Sequence, residues 1–482
     1  MKALIGLDYV LEQLNIMTPY GGECLKSLRA FRIEEAKTLL QVIGDLERVI
    51  GSLRDYALFY NRIEREFCRL KDIRGSIKRC RSLETLDEIQ LFEIKLFSIG
   101  AQFIKNHFEA IGINITGVNF RDLEPIIAIL DPEGHRMATF SIYDAYSQEL
   151  REVRERKRFV EGELYRATEV PRITELKEER LCWVVEEEAL EKRILAQLSS
   201  SLLSYMEHLE EACTSIGVLD FTIAKAKLAI EKGCNKPLFQ EGFKLQMLQG
   251  RHPYVEELLH SQGKVFTPID ITLKPGTNAI TGPNMGGKSI TLKTIALNAA
   301  LAHLGFYVFA EALILSLCDF QYLLANDYEA VSNGLSSFGG EIIQLNEYLE
   351  ATKVSRGLLL IDEFARGTNP SEGRLLVKSL MSYLNKKETI SLFVTHFDGV
   401  VGAGSNHYQV VGLKNVDFDK LTDTISYDPQ YGLTTLQSLM DYRLEAVEQQ
   451  QEVPKDALRI SALLGLDKEV VEIAKLYYSQ EV

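Results

Sequence analysis

Apolar residues recur at three- and four-residue spacing through Leu39–Leu58, Leu83–Phe108 and Leu190–Ile230, with few prolines, so residues 1–235 read as largely helical. The pattern breaks at 125–145. There Ile126-Ile127-Ala128-Ile129-Leu130 and Met137–Ile142 flank Asp131-Pro132-Glu133-Gly134, which predicts a short hairpin or a pair of connecting segments. Residues 145–200 are charged and helix-prone, and predict an antiparallel helical arm. From about 236 the pattern switches. Segments 277–281, 320–325, 357–361, 390–395 and 408–413 predict strands, and 288–304, 339–353 and 371–386 predict helices among them. That alternation predicts a doubly wound α/β sheet. The tail 454–478 returns to helix, with Pro454 at its start and a turn at Leu463-Leu464-Gly465-Leu466.

The first α/β strand and helix enclose a glycine loop. Gly282 to Ser289 spells Gly-x-x-x-x-Gly-Lys-Ser, the pattern of a phosphate-binding loop. Its glycines let successive backbone N–H groups turn inward on phosphate oxygens, and the helix dipole places positive charge on the same point. Lys288 is expected to reach the β- and γ-phosphates, and the Ser289 hydroxyl to ligate Mg²⁺. Leu358-Leu359-Leu360-Ile361 then ends in Asp362-Glu363. A carboxylate at a strand's carboxyl end belongs beside the loop. Asp362 is therefore expected to hold Mg²⁺ with Ser289, and Glu363 to polarise the water that attacks the γ-phosphate. His396 closes another strand and is expected to sense the γ-phosphate or orient that water. Gly334-Leu335-Ser336-Ser337-Phe338 precedes a further helix and suits either a second phosphate contact or a plain helix cap. The implied chemistry is hydrolysis of a nucleoside triphosphate.

Charge changes the picture of the partner. The 482 residues carry a formal charge of −14, whereas a protein that grips DNA through its phosphates usually shows a basic surface. The most basic helix, Arg151, Arg154, Arg156, Lys157 and Arg158, is interleaved with Glu149, Glu152, Glu155 and Glu161, the alternation of a solvated face. The seven cysteines are scattered without a Cys-x-x-Cys pair, which argues for reduced thiols and against a zinc site. No apolar run has transmembrane length and residues 1–20 lack a signal peptide's pattern, so a cytoplasmic protein is expected.

The ordered set of motifs resembles the MutS family of ATPases, relatives of the ABC ATPases. Thr281-Gly-Pro-Asn-Met-Gly-Gly-Lys-Ser289 resembles that family's phosphate loop, Gly334–Phe338 with Glu341 its signature loop, Asp362–Thr368 with Glu372-Gly373 its acidic motif and dimer loop, and Thr395-His396-Phe397 its histidine switch. Gly250-Arg251-His252-Pro253 and Val265-Phe266 resemble the lead-in to the ATPase domain, Thr18-Pro19-Tyr20-Gly21 and Leu219-Asp220 the two ends of the helical core, and Tyr442-Arg443-Leu444 with Ala457–Ile460 the helical dimerisation element. The resemblance implies a multidomain α + α/β fold: a helical core or lever domain at 1–235 with a reduced clamp at about 112–190, an ABC-like P-loop ATPase domain at 236–440, and a helical dimerisation element at 441–482. It implies ATP and Mg²⁺ as cofactors. ATP would be held by Gly282, Pro283, Asn284, Met285, Gly286, Gly287, Lys288, Ser289 and Ile290, with Phe266 packing on adenine and Ser336 reaching in from a second subunit; Asn284, Glu363 and His396 would serve hydrolysis.

Departures from the family shape the functional expectation. The core begins almost at residue 1 and the chain stops just past the helical element, so neither a mismatch-reading domain nor a nuclease-like tail is expected. Ile290 stands where threonine is usual, and Ile269 where an adenine-contacting asparagine is common. The first reading is therefore a MutS-type motor, homodimeric or paired with a MutS-like paralogue, that remodels a protein client. The reactivating factors of cobalamin-dependent aminomutases, such as lysine 5,6-aminomutase, are the example. The alternative is a DNA-structure binder in repair or recombination that reads no mismatches. A structural subunit with a dead ATP site is the third, opposed by intact Lys288, Ser289, Asp362 and Glu363.

Overall fold

The computed structural model describes residues 3–136, 139–283, 286–325, 337–402, 404–414, 439–447, 457–463 and 466–480. Its contacts divide the chain into two units, one of Met1–Leu14, Arg29–Ile43 and Leu228–Val482, the other of Asn15–Leu28 and Gly44–Lys227. Residues 1–14 and 29–43 thus go with the C-terminal unit, whereas the expected boundary at 235 placed them in the helical domain.

The unit of 15–28 and 44–227 is helical throughout its regular structure, with a core built from Leu46, Tyr60, Ile63, Phe67, Leu91, Ile94, Phe97 and Leu219, all at most 1% exposed. Two sequence motifs meet inside it. Asp220 accepts hydrogen bonds from the Thr18 amide (2.8 Å) and hydroxyl (2.7 Å), while Thr18 Oγ1 caps the helix Pro19–Lys26 by accepting from the Gly21 amide. A Cβ at Gly21 would sit 2.4 Å from the Asp220 carboxylate, so only glycine lets that contact form. Where a hairpin or a pair of connecting segments is expected at 125–145, the first apolar run is a helix, Glu124–Leu130, whose Pro125 stands in the first turn and whose Ile126, Ile127 and Leu130 are buried, and the turn Asp131–Gly134 follows it. Beyond it Asp131 forms a fully buried ion pair with Lys95 (3.1 Å), and Lys95 also donates to the Thr139 carbonyl and the Tyr143 hydroxyl. The helices Gln148–Arg166 and Val170–Leu202 pack as the expected antiparallel arm; Arg154 pairs with Glu187 and Glu191, and Arg180 with Glu161.

The other unit holds two sheets. β1 (Leu238–Phe239), β2 (Leu245–Gly250), β3 (Ile269–Leu273) and β5 (Ala312–Leu315) form one in the order β1-β5-β2-β3, a sheet the alternation pattern did not reveal. β4 (Gly276–Thr281), β6 (Phe320–Leu324), β7 (Gly357–Asp362), β8 (Ile390–Val394), β9 (Asn406–Gly412) and β10 (Asp441–Ala446) form the second in the order β10-β9-β4-β8-β7-β6. Five of its strands run parallel, and β10 is antiparallel to β9. β4 and β8 are buried along their whole length, as parallel strands covered on both faces must be. The helix Lys288–His303 touches β2 as well as β6, β7 and β8. Contact on both sides explains why it is apolar nearly all round, from Leu292 to Leu301. A core of Leu345, Leu359, Ile361, Val377, Met381, Phe393 and Phe397 joins the sheet to the helices Ser337–Val354 and Pro370–Leu384.

Tyr442-Arg443-Leu444, expected in a helical element, lies instead in β10. Its polar–apolar alternation suits an edge strand with one face on its neighbour. The helices Ala457–Leu463 and Lys468–Gln480 follow, while Pro454 and the turn residues Leu464 and Gly465 lie outside the described residues. No described helix is long and apolar enough to cross a membrane.

Candidate nucleotide site

Strand register brings the motifs to one edge. Asp362 on β7 is opposite Val394 on β8, and Val394 opposite Ile280 on β4, so the acidic pair, Thr395-His396 and the start of the glycine loop leave the sheet at the same level. Ligands of open α/β sheets collect at this carboxyl edge.

The glycines are required by geometry at two points. Gly282 has φ 143° and Gly287, which starts the helix Lys288–His303, has φ 76°, both costly for any residue with a Cβ. A Cβ at Gly282 would lie 3.0 Å from Val410, and one at Gly287 3.0 Å from the Tyr442 ring. Lys288 is buried and donates to the carbonyls of Gly282 (3.0 Å) and Pro283 (2.9 Å), so its ammonium lies within the turn of the loop. Burial pushes the Lys288 amine down from its usual range, while the carboxylates of Glu363 and Asp362 oppose that shift.

Ser289 Oγ donates to Asp362 Oδ1 at 3.0 Å, which joins the two residues expected to share a cation. Burial pushes the Asp362 carboxyl up, and the Ser289 bond only partly offsets it. A divalent ion against these oxygens would supply the missing positive charge, so the pair fits Mg²⁺. Among the described residues no group of three or more His, Cys, Asp and Glu could hold a metal by itself, so such an ion would need phosphate or water oxygens to fill its shell.

Glu363 follows in the left-handed region (φ 47°), its amide donating to the Val394 carbonyl (2.9 Å) and its carboxylate pairing with Arg366 (2.6 Å). His396 lies against Phe397, and burial pushes its imidazole down, with the Glu363 carboxylate opposing and Lys288 reinforcing. Glu341 reaches from the helix Ser337–Val354 to accept the Ala365 amide (3.1 Å). Asn284, Met285 and Ser336 lie outside the described residues.

Next to the loop opens a cavity of about 560 Å³. Phe266, Ile269, Gly287 and Ile290 line it together with Met440 and Tyr442 from the chain leading into and along β10. Its apolar walls and its place beside the phosphate turn suit a nucleobase. Tyr442 is the functional candidate that sequence reasoning misplaced. Its signal, an aromatic within an alternating strand-like run, was outweighed by the helical resemblance of its neighbourhood.

Residues 278–475 match the MutS domain V family. A segment of 231 residues, 47% of this chain, is 34% identical to the DNA mismatch repair protein MutS of Carboxydothermus hydrogenoformans and covers 27% of that protein. Another of 302 residues, 61% of this chain, is 31% identical to Endonuclease MutS2 of Caldicellulosiruptor saccharolyticus and covers 35% of it. The matched part of the chain thus spans about a quarter to about a third of these relatives. Domain V is the ATPase domain of MutS proteins, and the segment with the phosphate loop is similar to it.

Proposed function

We propose that the chain binds Mg–ATP at this edge and hydrolyses it, coupling the cycle to movement of its helical unit. The observation that carries the reading is the convergence of Lys288, Ser289, Asp362, Glu363 and His396 at one level of the sheet. The loop amides and Lys288 bind the phosphates, Ser289 and Asp362 hold Mg²⁺, and Phe266 and Tyr442 flank the base. Mg²⁺ supplies charge neutralisation of the phosphate oxygens when bound. Glu363 orients a water whose oxygen bonds to the γ-phosphorus as the bridging oxygen leaves with ADP, and takes up its proton; His396 lies beside the same phosphate. Phosphate release from ATP by the native protein, present with Mg²⁺ and absent with EDTA, tests the reading. A protein that binds ATP and releases none would sink it.

ATP-stabilised dimerisation belongs to the same proposal, with Ser336 of one copy completing the site of the other. On the helix Lys468–Gln480, Val470, Ile473 and Tyr477 are each about half exposed or more and share one face by their three- and four-residue spacing. Sedimentation of Glu363→Gln should show a dimer at micromolar concentration with ATP. A monomer with and without ATP would count against the composite site, unless a paralogue supplies the other half.

For the client, the arm favours protein. Arg154 is enclosed by Asp144, Glu187 and Glu191, Lys157 pairs with Glu187, and Arg158 with Asp144, so three of the five cations of this run are answered by carboxylates of the arm and its approach, while Arg151 and Arg156 stay exposed. Phe159 (71% exposed) and Tyr165 (94%) stand out from the same helix. An aminomutase is the client class the resemblance suggested, and it draws no support from these relatives. DNA is the second reading, favoured by relatives named for mismatch repair and as an endonuclease. On the first reading, duplex DNA binds weakly and without mismatch preference; about three phosphate contacts would lose roughly 40-fold in affinity between about 50 and about 200 mM salt. Titrating homoduplex and heteroduplex DNA at both salts checks this. Nanomolar, salt-resistant binding to one DNA structure would promote the second reading.

A further inference from the structure

The turn that carries Glu363 is held unusually firmly for a segment with so exposed a rim. Two non-glycine residues within it, Glu363 (φ 47°) and Ala365 (φ 63°), occupy the left-handed region, a conformation that persists only where the surroundings impose it. Those surroundings are visible. The Glu363 amide is tied to the Val394 carbonyl on β8, and the Ala365 amide to the Glu341 carboxylate, itself 7% exposed. Gly373 packs so closely that a Cβ there would lie 2.9 Å from the Ala365 carbonyl. With the backbone fixed from three sides, only side chains are left to respond to a ligand.

One side chain is poised to do so. Arg366 Nη1 donates to Glu363 Oε2 at 2.6 Å, with the Glu363 side chain 14% and the Arg366 side chain 61% exposed. The charge of Arg366 also lowers Lys288, after burial and the Glu363 and Asp362 carboxylates, and lowers His396, after burial, Glu363 and Lys288. Glu363 directly follows Asp362, which accepts from Ser289 of the loop, so the pair stands at the edge of the sheet where the loop begins. With its Arg366 side open to solvent the pair is screened, and exposed pairs are typically worth about 0–1 kcal/mol. A phosphate offers a guanidinium a bidentate partner of higher charge. While the pair stands, one of the two oxygens Glu363 needs for water is committed to Arg366.

We infer that Arg366 is an exchangeable counter-ion, paired with Glu363 in the empty site and transferred to the terminal phosphate of a bound nucleoside triphosphate. The transfer frees Glu363 for water when, and only when, there is a γ-phosphate to attack. ADP ends at its β-phosphate, which the loop amides and Lys288 already serve, and leaves the pair in place. Arg366 then has two roles, discrimination of ATP from ADP and stabilisation of the charge on the transferring phosphoryl group. The inference rests on the hydrolysis reading above.

The test uses Arg366→Ala and Arg366→Lys in the full chain, with Mg²⁺, a non-hydrolysable ATP analogue, ADP and steady-state turnover of ATP. Arginines that stabilise phosphoryl transfer contribute on the order of 10³-fold or more; at this exposed position a loss of roughly 10²-fold in kcat is expected for Arg366→Ala, with partial rescue by Arg366→Lys. Affinity for the triphosphate analogue should fall about tenfold and that for ADP stay within about twofold, a split that a merely structural role would not produce. Turnover and discrimination equal to the native protein would overturn the inference, as would turnover above it, which would make the pair a brake alone. Equal loss of analogue and ADP affinity would also overturn it. The hydrolysis reading fails separately: native protein that releases no phosphate refutes that reading, whereas native activity that Glu363→Gln stops and Arg366→Ala does not refutes only the role of Arg366.

Discussion

Glu363→Gln retains ATP and hydrolyses it at least about a hundredfold more slowly than the native protein. The substitution keeps the shape of the side chain and its backbone anchor on Val394, so the loop and the base cavity stay as they are. What it removes is the negative charge that orients the attacking water and accepts its proton, and general-base contributions of this kind are worth roughly 10²- to 10⁴-fold. The Arg366 pair weakens at the same time, because an amide oxygen is a poorer acceptor for a guanidinium than a carboxylate. Binding should change little, since none of the phosphate-facing groups is touched. Equilibrium binding of ATP together with single-turnover hydrolysis separates the two effects, and native-like turnover would remove Glu363 from the mechanism.

Lys288→Ala acts earlier, at binding rather than at hydrolysis. The lysine is 5% exposed and its ammonium is bonded to the carbonyls of Gly282 and Pro283, inside the turn meant for the β- and γ-phosphates. Its loss takes away the one loop cation and leaves two buried carbonyls without that donor, so both the binding charge and the loop's own support are lost. A charged hydrogen bond contributes about 1.5–3 kcal/mol. Losing one such bond to each of two phosphates corresponds to a fall in affinity of roughly 10²- to 10⁴-fold. Calorimetric or fluorescence titration with Mg–ATP reads this directly. Undiminished affinity would show that the nucleotide is held elsewhere.

The sequence made the second half more legible than the first, and the reason is physical. A parallel strand buried on both faces must be apolar along its length, so Leu358–Ile361 and Ile390–Val394 announce themselves, and the glycine loop between β4 and its helix is fixed by backbone requirements that few other residues meet. The four-stranded sheet was not legible: β1 and β5 are only 2 and 4 residues long, and in β2 the alternation of Leu245-Gln246-Met247 is broken by Leu248-Gln249. The 125–145 segment misled because Asp-Pro-x-Gly signals a turn whatever precedes it. Ile126, Ile127 and Leu130 have helical as well as strand spacing, and Pro125 at the first turn settled the outcome. Tyr442 could not be placed from sequence because its role depends on β10 returning to pair with β9, a contact between residues about thirty positions apart. The Glu363–Arg366 pair was hidden for a different reason. At three-residue spacing it reads as an ordinary helical pair, whereas the residues stand on a turn with two left-handed positions.

The most direct test is the chemical identity of the nucleotide held by Glu363→Gln after incubation with Mg–ATP, set against native protein treated alike. Intact ATP, close to one per site, is expected on the variant, and ADP with free phosphate from the native chain. ADP on both, formed at similar rates, would contradict it.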